Sequence, residues 1–587
     1  MQTKKISPWI LTLRSGLVGG AVAILISLVG MVAAFSERFI VSGWFTMGQV
    51  LFLAPILLFS YTAVRRIAPQ PSWITLLGGA LTGLVSGALL AVLAFLIHAA
   101  PGIRDMFDKA SFQLLEVLTF DLGVPNGLPG LLLISIVIGC LAGGEYLLPE
   151  RLRRAFITGL VIVFLIGLLR DLIMTVVNQW VDKAKSFPDW ATWSAPILTF
   201  IQNFFRRQIF AASGLKPLSA IVLFALISGL NYWRSGKPKQ VRKPVAGDPR
   251  ARTRLILRLS GWGLVLLLLP LVLGIFFAEI LDNVGLYIMM GLGLNIVVGF
   301  AGLLDLGYVA FYAIGAYTMG VLTSPELGFF NLTYWEALPF ALGASFLAGV
   351  LLGLPVLKMR GDYLAIVTLG FGEIVRLLAL SDWLRPWLGG TQGIQRIAQP
   401  QLGGLVLNTQ VELYYLFLVG IAIVAFVAWR LKDSRLGRSW MALREDEDVA
   451  RAMGINHVTT KLLAFATGAI FSGLAGTIFA AKLQSVYPHS MNFLVSINVL
   501  SLIIIGGMGS IPGVFVGALA LIAAPDLLRE FAEYRYLVYG AVLVAMMLTR
   551  PEGLWPEERR KLELHEVEEV IEETAEEKFA PLAGTTD

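Results

Sequence analysis

Long apolar stretches alternate with short polar ones along almost the whole chain. Stretches of about 18 or more apolar residues are long enough to cross a bilayer as helices. Their spacing predicts spans over 11–34, 45–64, 73–98, 128–147, 155–177 and 211–232, followed by a polar linker. It then predicts spans over 256–278, 284–300, 302–322, 337–357, 362–380, 412–430 and 461–481, a broken pair at 495–507 and 512–528, and a last span over 536–549. The expected fold class is an all-α polytopic membrane protein with about 14 transmembrane helices plus a broken or re-entrant pair. The first apolar segment, Gly16 to Phe35, exceeds the roughly 7–15 residues of a secretory signal core and reads as a retained span.

Composition agrees with the pattern. Of 587 residues, 57% are apolar and 15% charged, against about 25% charged in soluble chains. No soluble domain of useful size is left. The lone Cys140 excludes a disulfide framework. His98, His457, His489 and His565 are scattered without metal-ligand spacing. No G-x-x-x-x-G-K-[ST] phosphate loop occurs, so the chain is not its own ATPase by that route. The spans carry no nucleophile–base constellation either, and an enzyme is not expected.

The net charge of +6 matters through its distribution and does not point to nucleic acid. With the N-terminus in the cytoplasm, the inner loops receive more than twice the Lys/Arg of the outer ones. The expected setting is the plasma (inner) membrane, with both termini cytoplasmic. Four regions follow: an extension of about six spans (1–232), a basic cytoplasmic linker (233–255), a second membrane region (256–555) with a cytoplasmic loop at 431–460, and an acidic tail (556–587). The linker reads as a positive-inside anchor with bound membrane lipid.

Residues 430–461, RLKDSRLGRSWMALREDEDVARAMGINHVTTK, hold seven Lys/Arg and five Asp/Glu between two apolar spans. A helix is expected from Trp440 to Met453, with Gly454 at the position that ends it. At helical spacing Ala442, Val449, Ala450 and Met453 share a face centred on Asp446. Such a helix can dock in a partner's groove; the alternative is a solvated loop. Glycines interrupt apolar runs at GFAGLLDLG (299–307) and GGMGSIPG (506–513). Broken spans of this kind mark transport pathways, or glycines simply allow close packing. Asp305 is expected near the cytoplasmic end, as a turn residue or cap or as a pathway group. Glu373 and Arg376 can pair at i, i+3. Gly389, Gly390, Thr391, Gln392 and Gly393 form a tight turn on the outer side. Arg170 and Asp171 lie inside the fifth span.

The segments GLGLNIVVGFAGLLDLGYVAFYAIGAYTMGVL (291–322), LKMRGDYLAIVTLGFGEIVRLL (357–378), GGTQGI (389–394), LREDEDVARAMGINHVTTKLLAFATGAIFSGLAGTIFAA (443–481) and IIIGGMGSIPGVFVGA (503–518) occur in this order. Together they resemble the LivM-type permease subunits of branched-chain amino acid ABC importers, over about residues 285–555. The first 230 residues lack these motifs. The resemblance implies a LivH-type second permease subunit, two cytoplasmic ATPases and an extracytoplasmic substrate-binding protein. It implies no cofactor in this chain, with ATP and Mg bound by the partners. It makes Arg444, Glu445, Asp446, Glu447, Ala450, Gly454 and Ile455 the ATPase-coupling helix. Asn295, Gly299, Gly302, Asp305, Glu373, Arg376, Gly506, Gly507 and Gly509 become pathway candidates. Branched-chain amino acids are the expected cargo, with urea or short amides as the alternative. A different class, an ion-coupled secondary transporter or channel, requires more intramembrane acids than the runs contain and leaves the 430–461 island without a task.

Overall fold

A computed structural model describes residues 8–67, 73–100, 107, 109–186, 197–211, 213–235, 261, 263–356, 359, 361–527, 534–550 and 552–556. Most of the basic linker, the acidic tail and the expected start of the seventh span lie outside the described residues. The chain forms two compact units, residues 1–251 and 252–587.

Among the described residues, ten helices are long and apolar enough to cross a membrane. That makes a multi-pass all-α membrane protein, with fewer full-length helices than the fourteen or so expected. Part of the difference comes from apolar runs that are not straight helices. Residues 309–323 form a short apolar helix, and 150–182 bends by 62° between Leu168 and Arg170, while the apolar helices 263–273 and 511–527 border residues outside the described set. Hydropathy measures transfer from water and is blind to whether the backbone stays straight.

In the first unit, α1 (Pro8–Leu28), α2 (Met47–Ile67), α3 (Trp73–Ala99) and α4 (Gly123–Leu147) pack together. The α3–α4 seam is built from small residues four apart. A Cβ on Gly79 would strike the Gly139 backbone, and one on Gly143 would strike Thr75. Backbones this close gain dispersion where lipid offers no hydrophobic drive. Behind them come α5 (Glu150–Leu168), α6 (Arg170–Ser186) and α7 (Pro217–Ser235).

The second unit is centred on α8 (Ile275–Leu294), which continues as a wide turn to Phe300. In its most apolar window 89% of residues are buried, so it faces protein and hardly any lipid. An extended segment leads to α9 (Val309–Thr323), followed by α10 (Tyr334–Val356), α11 (Asp362–Leu380) and α12 (Gln410–Lys432). The polar island forms α13 (Arg435–Glu445) and α14 (Glu447–Ala452). Then comes the uninterrupted 27-residue α15 (His457–Leu483), about 40 Å long. α16 (Phe493–Gly506) and α17 (Ile511–Ala518) run antiparallel as a hairpin, with Gly506 against Gly513 and Leu502 against Gly517. α18 (Arg535–Thr549) closes the unit.

α8 and α15 are antiparallel: Asp282 meets Lys482 at one end, and Gly293 meets Gly468 further along. The start of α9 lies against the middle of α15. The Tyr308 hydroxyl donates to the Gly468 carbonyl at 2.7 Å, and the Ser472 hydroxyl to the Tyr308 carbonyl at 3.3 Å. Gly468 stands on the order of 16 Å along α15 from its island end.

Candidate functional site

The island is two helices, where a single one was expected. They meet at Asp446, in an extended conformation (φ −156°, ψ 116°). Its carboxylate accepts from the Asp448 and Val449 N–H groups at 2.8 and 2.9 Å, capping α14. A capping residue cannot sit mid-face on a continuous helix, so the expected face centred on Asp446 does not form. Gly454 (φ 86°) ends α14 as expected. Its N–H donates to Arg451 and the Ile455 N–H reaches back to Ala450, both at the spacing of a glycine-terminated helix end. Ala450 is buried within the chain, while Val449 and Met453 are 58% and 78% exposed. The large apolar side chains offered outward are therefore Val449 and Met453, one turn apart.

Three contacts fix the island to the bundle. The fully buried Trp440 donates its indole N–H to the Thr460 carbonyl at 2.8 Å. Lys461, 2% exposed, meets Glu447 at 2.7 Å. Arg444 Nη1 donates to the Gly299 carbonyl at 2.8 Å, while its Nη2 pairs with the exposed Glu445 at 3.0 Å. The first two grip the start of α15. The third reaches the break after α8, where the helix has stopped supplying partners for its carbonyls.

The two breaks meet each other at the same place. Asn295 Oδ1 accepts the Gly509 N–H from the hairpin tip at 2.9 Å. Gly302 (φ 70°) has Arg444 so close that an added Cβ would lie 2.6 Å from Arg444 Cγ. Gly507 (φ 118°) and Gly509 (φ 83°) turn the tip. Residues after α18 finish it: the Leu554 and Trp555 N–H groups donate to the Ile505 and Gly506 carbonyls at 2.8 and 2.9 Å. Arg444, Gly299, Gly302, Asn295, Gly506, Gly507 and Gly509 thus form one cluster, where sequence offered three separate groups.

Asp305 sits in the extended segment ahead of α9. It is fully buried, and its Oδ1 accepts the Gly307 N–H at 2.9 Å, a turn-forming contact. The turn lies inside the bundle, beside Thr368 six residues into α11 and close to mid-α15. The extended backbone there is satisfied by protein: Leu306 N–H by Thr368 Oγ1 and Val309 N–H by Ser496 Oγ, each at 3.0 Å. Unwound backbone at membrane depth needs such partners. Glu373 and Arg376 pair with each other along α11, Arg376 Nε lying 3.0 Å from both carboxylate oxygens. They do not join the cluster.

Gly389, Gly390 and Gly393 all have positive φ, which explains glycine around Thr391 and Gln392. The turn feeds Ile394–Gln395, which pairs antiparallel with Ser485–Val486 just beyond α15. The loop and the island therefore sit at opposite ends of the same helix. Sequence reasoning missed the buried Asp282, whose Oδ2 lies 3.7 Å from Lys482 Nζ, with Lys482 also donating to Asn283 at 3.0 Å. An acid in the apolar run ILDNVG was the available signal. It also missed the buried contacts of Trp440, read only as a helix start, and of Lys461, read as the first residue of a span.

Residues 276–547, which hold this whole cluster apart from the tail contact, match the family model for the branched-chain amino acid transport system permease component. The high-affinity branched-chain amino acid transport system permease protein LivM of Escherichia coli (strain K12) is 44% identical over 302 residues, covering 48% of this chain and 70% of the relative. The chain belongs to this permease family. A more distant permease relative, LivH of Salmonella typhi, is 22% identical over 293 residues, 46% of this chain and 90% of its own length. BraD of Pseudomonas aeruginosa, also a permease protein of such a system, is 24% identical over 308 residues, covering 46% of this chain and 91% of its own. No solved structure matches. The permease region lies inside the second unit, and the family model leaves the first 251 residues unmatched.

Proposed function

We propose that the chain is the membrane permease subunit of an ATP-driven importer that moves branched-chain amino acids into the cytoplasm. Its relatives are permease proteins of branched-chain amino acid transport systems. The sequence has no phosphate loop of its own, and in this reading the energy comes from another chain. The partners are a LivH-type second permease, two ATPases on the island side and a substrate-binding protein at the 389–393 turn. ATP and Mg belong to the ATPases, and this chain carries no catalytic group.

The observation that carries the reading is the double attachment of α15. Trp440 and Glu447 hold its first residues, and Ser485–Val486 beyond its last residue pair with the outer turn. A force applied to Val449 and Met453 passes through Arg444 to both broken spans and through α15 to the opposite end. Alternating access needs this kind of shared displacement.

The test is co-purification with the ATPases and leucine uptake in vesicles containing the full set of subunits. Val449→Asp with Met453→Asp abolishes both while membrane abundance stays unchanged. Full assembly and uptake in that variant would sink the coupling reading. Leucine uptake driven by an ion gradient without any ATPase would overturn the importer reading itself.

A further inference from the structure

The unmatched first unit holds a large polar basin of its own. Among the described residues, a cavity of about 1300 Å³ is lined by Arg170, Arg206, Arg207 and Lys216, with Asp182 as the one acid and amides from Asn178 and Gln202. Four cations against one carboxylate leave it strongly positive. Arg206 and Arg207 are exposed and make no ion pair among the described residues. Arg170 spends one nitrogen on Asp171 at 2.9 Å, and Asp171 is shared with Arg38 at 3.5 Å. The Arg170 Nε is buried without a hydrogen-bond partner. A buried guanidinium N–H left idle beside three further cations is an incomplete anion site.

The surroundings say what kind of anion fits. Residues 197–204, immediately before Arg206, are helical. Ile197, Phe200 and Phe204 fall on one face and are 55%, 70% and 48% exposed. Gln202 and the two arginines that follow serve the basin instead. An apolar aromatic stripe beside a basic face is the pattern of a helix lying in the bilayer surface. The 62° bend that begins α6 turns Arg170 off the line of α5 and towards this segment. The pattern of stripe and basic face suits a site facing lipid headgroups.

We propose that this basin holds the phosphate group of an anionic phospholipid. Arg206 and Arg207 supply charge from the surface segment, Arg170 supplies the buried donor, and Asn178 and Gln202 suit the polar remainder of a glycerol headgroup. Their own bond, Gln202 Nε2 to Asn178 Oδ1 at 2.8 Å, keeps both at the rim. The lipid tails lie along the Phe200–Phe204 stripe. Bound there, the lipid orders the first unit at its charged edge.

The experiment is native mass spectrometry of the purified full chain in detergent, titrated with phosphatidylglycerol, phosphatidylcholine or inorganic phosphate. The expected result is retention of phosphatidylglycerol in preference to phosphatidylcholine. Arg206→Gln with Arg207→Gln weakens that retention by roughly thirtyfold, since each interfacial cation is worth about fivefold in lipid affinity. Arg559→Gln with Arg560→Gln, which removes equal charge from the acidic tail, leaves it unchanged. Asn203→Glu, a single change at an exposed position lining the cavity, lowers retention through repulsion and serves if the double variant fails to fold. Equal retention of phosphatidylcholine, or undiminished retention in both basin variants, would overturn the proposal. Displacement by millimolar inorganic phosphate would overturn the lipid assignment and make the site one for free phosphate.

Discussion

Arg444 and Gly299, 145 positions apart, are joined by one hydrogen bond of 2.8 Å from guanidinium to carbonyl. The bond ties the surface island to the point where α8 stops being a helix. Hydrogen bonds from charged donors contribute about 1.5–3 kcal/mol. Arg444→Ala is expected to reduce uptake more than tenfold while the protein still reaches the membrane. Arg444→Lys recovers part of it, because ammonium supplies a donor without the planar fork. Labelled leucine uptake normalised to membrane abundance checks this, and wild-type uptake in the alanine variant refutes it.

Gly302 and Gly454 both have positive φ, at 70° and 86°, but only Gly302 faces a neighbour. Gly454→Ala is expected to cost about 1 kcal/mol of conformational strain and to leave uptake largely intact. Gly302→Ala meets the same strain and also displaces Arg444, so its uptake resembles that of Arg444→Ala. Similar behaviour of the two glycine variants would remove the Arg444 contact from the explanation.

Asn295 accepts the Gly509 N–H in a buried setting. Asn295→Ala leaves that donor unpaired, at a cost of about 1–3 kcal/mol. The hairpin tip is expected to open before the rest of the bundle. Hydrogen exchange should show faster exchange at 506–510 with α15 unaffected. Uniform acceleration across the second unit would argue against a local role.

Lys482 and Asp282 are both nearly or fully buried at the far end of α8 and α15. Lys482→Ala strands a carboxylate, which costs about 3–5 kcal/mol. Asp282→Asn combined with Lys482→Met removes both charges and is expected to restore most of the lost melting temperature in detergent. A double variant as unstable as the single one would show that the pair contributes more than mutual neutralisation.

Much of the second unit was legible because its signals are local. Charge density marked the island, glycines marked both breaks, and Gly454 marked a helix end. Tertiary relations were not legible. Nothing near Arg444 in sequence points to Gly299, and nothing near Asn295 points to Gly509. The face drawn through Ala442, Asp446, Val449 and Ala450 failed because an aspartate that suits a helix interior poorly became a cap. The run 302–322 reads as a full span. In the structure its first residues are extended and the remaining 15-residue helix covers only about 22 Å. The first unit was legible as spans and nothing more, since its basin is assembled from residues up to 46 positions apart.

α15 contains no proline and is held at both extremities by different parts of the chain. α8 and α16 each end in a break. The arrangement leaves the protein no way to let its two faces fall out of step. A binder that clamps the 389–395 turn would stall the island end of α15 without ever touching it.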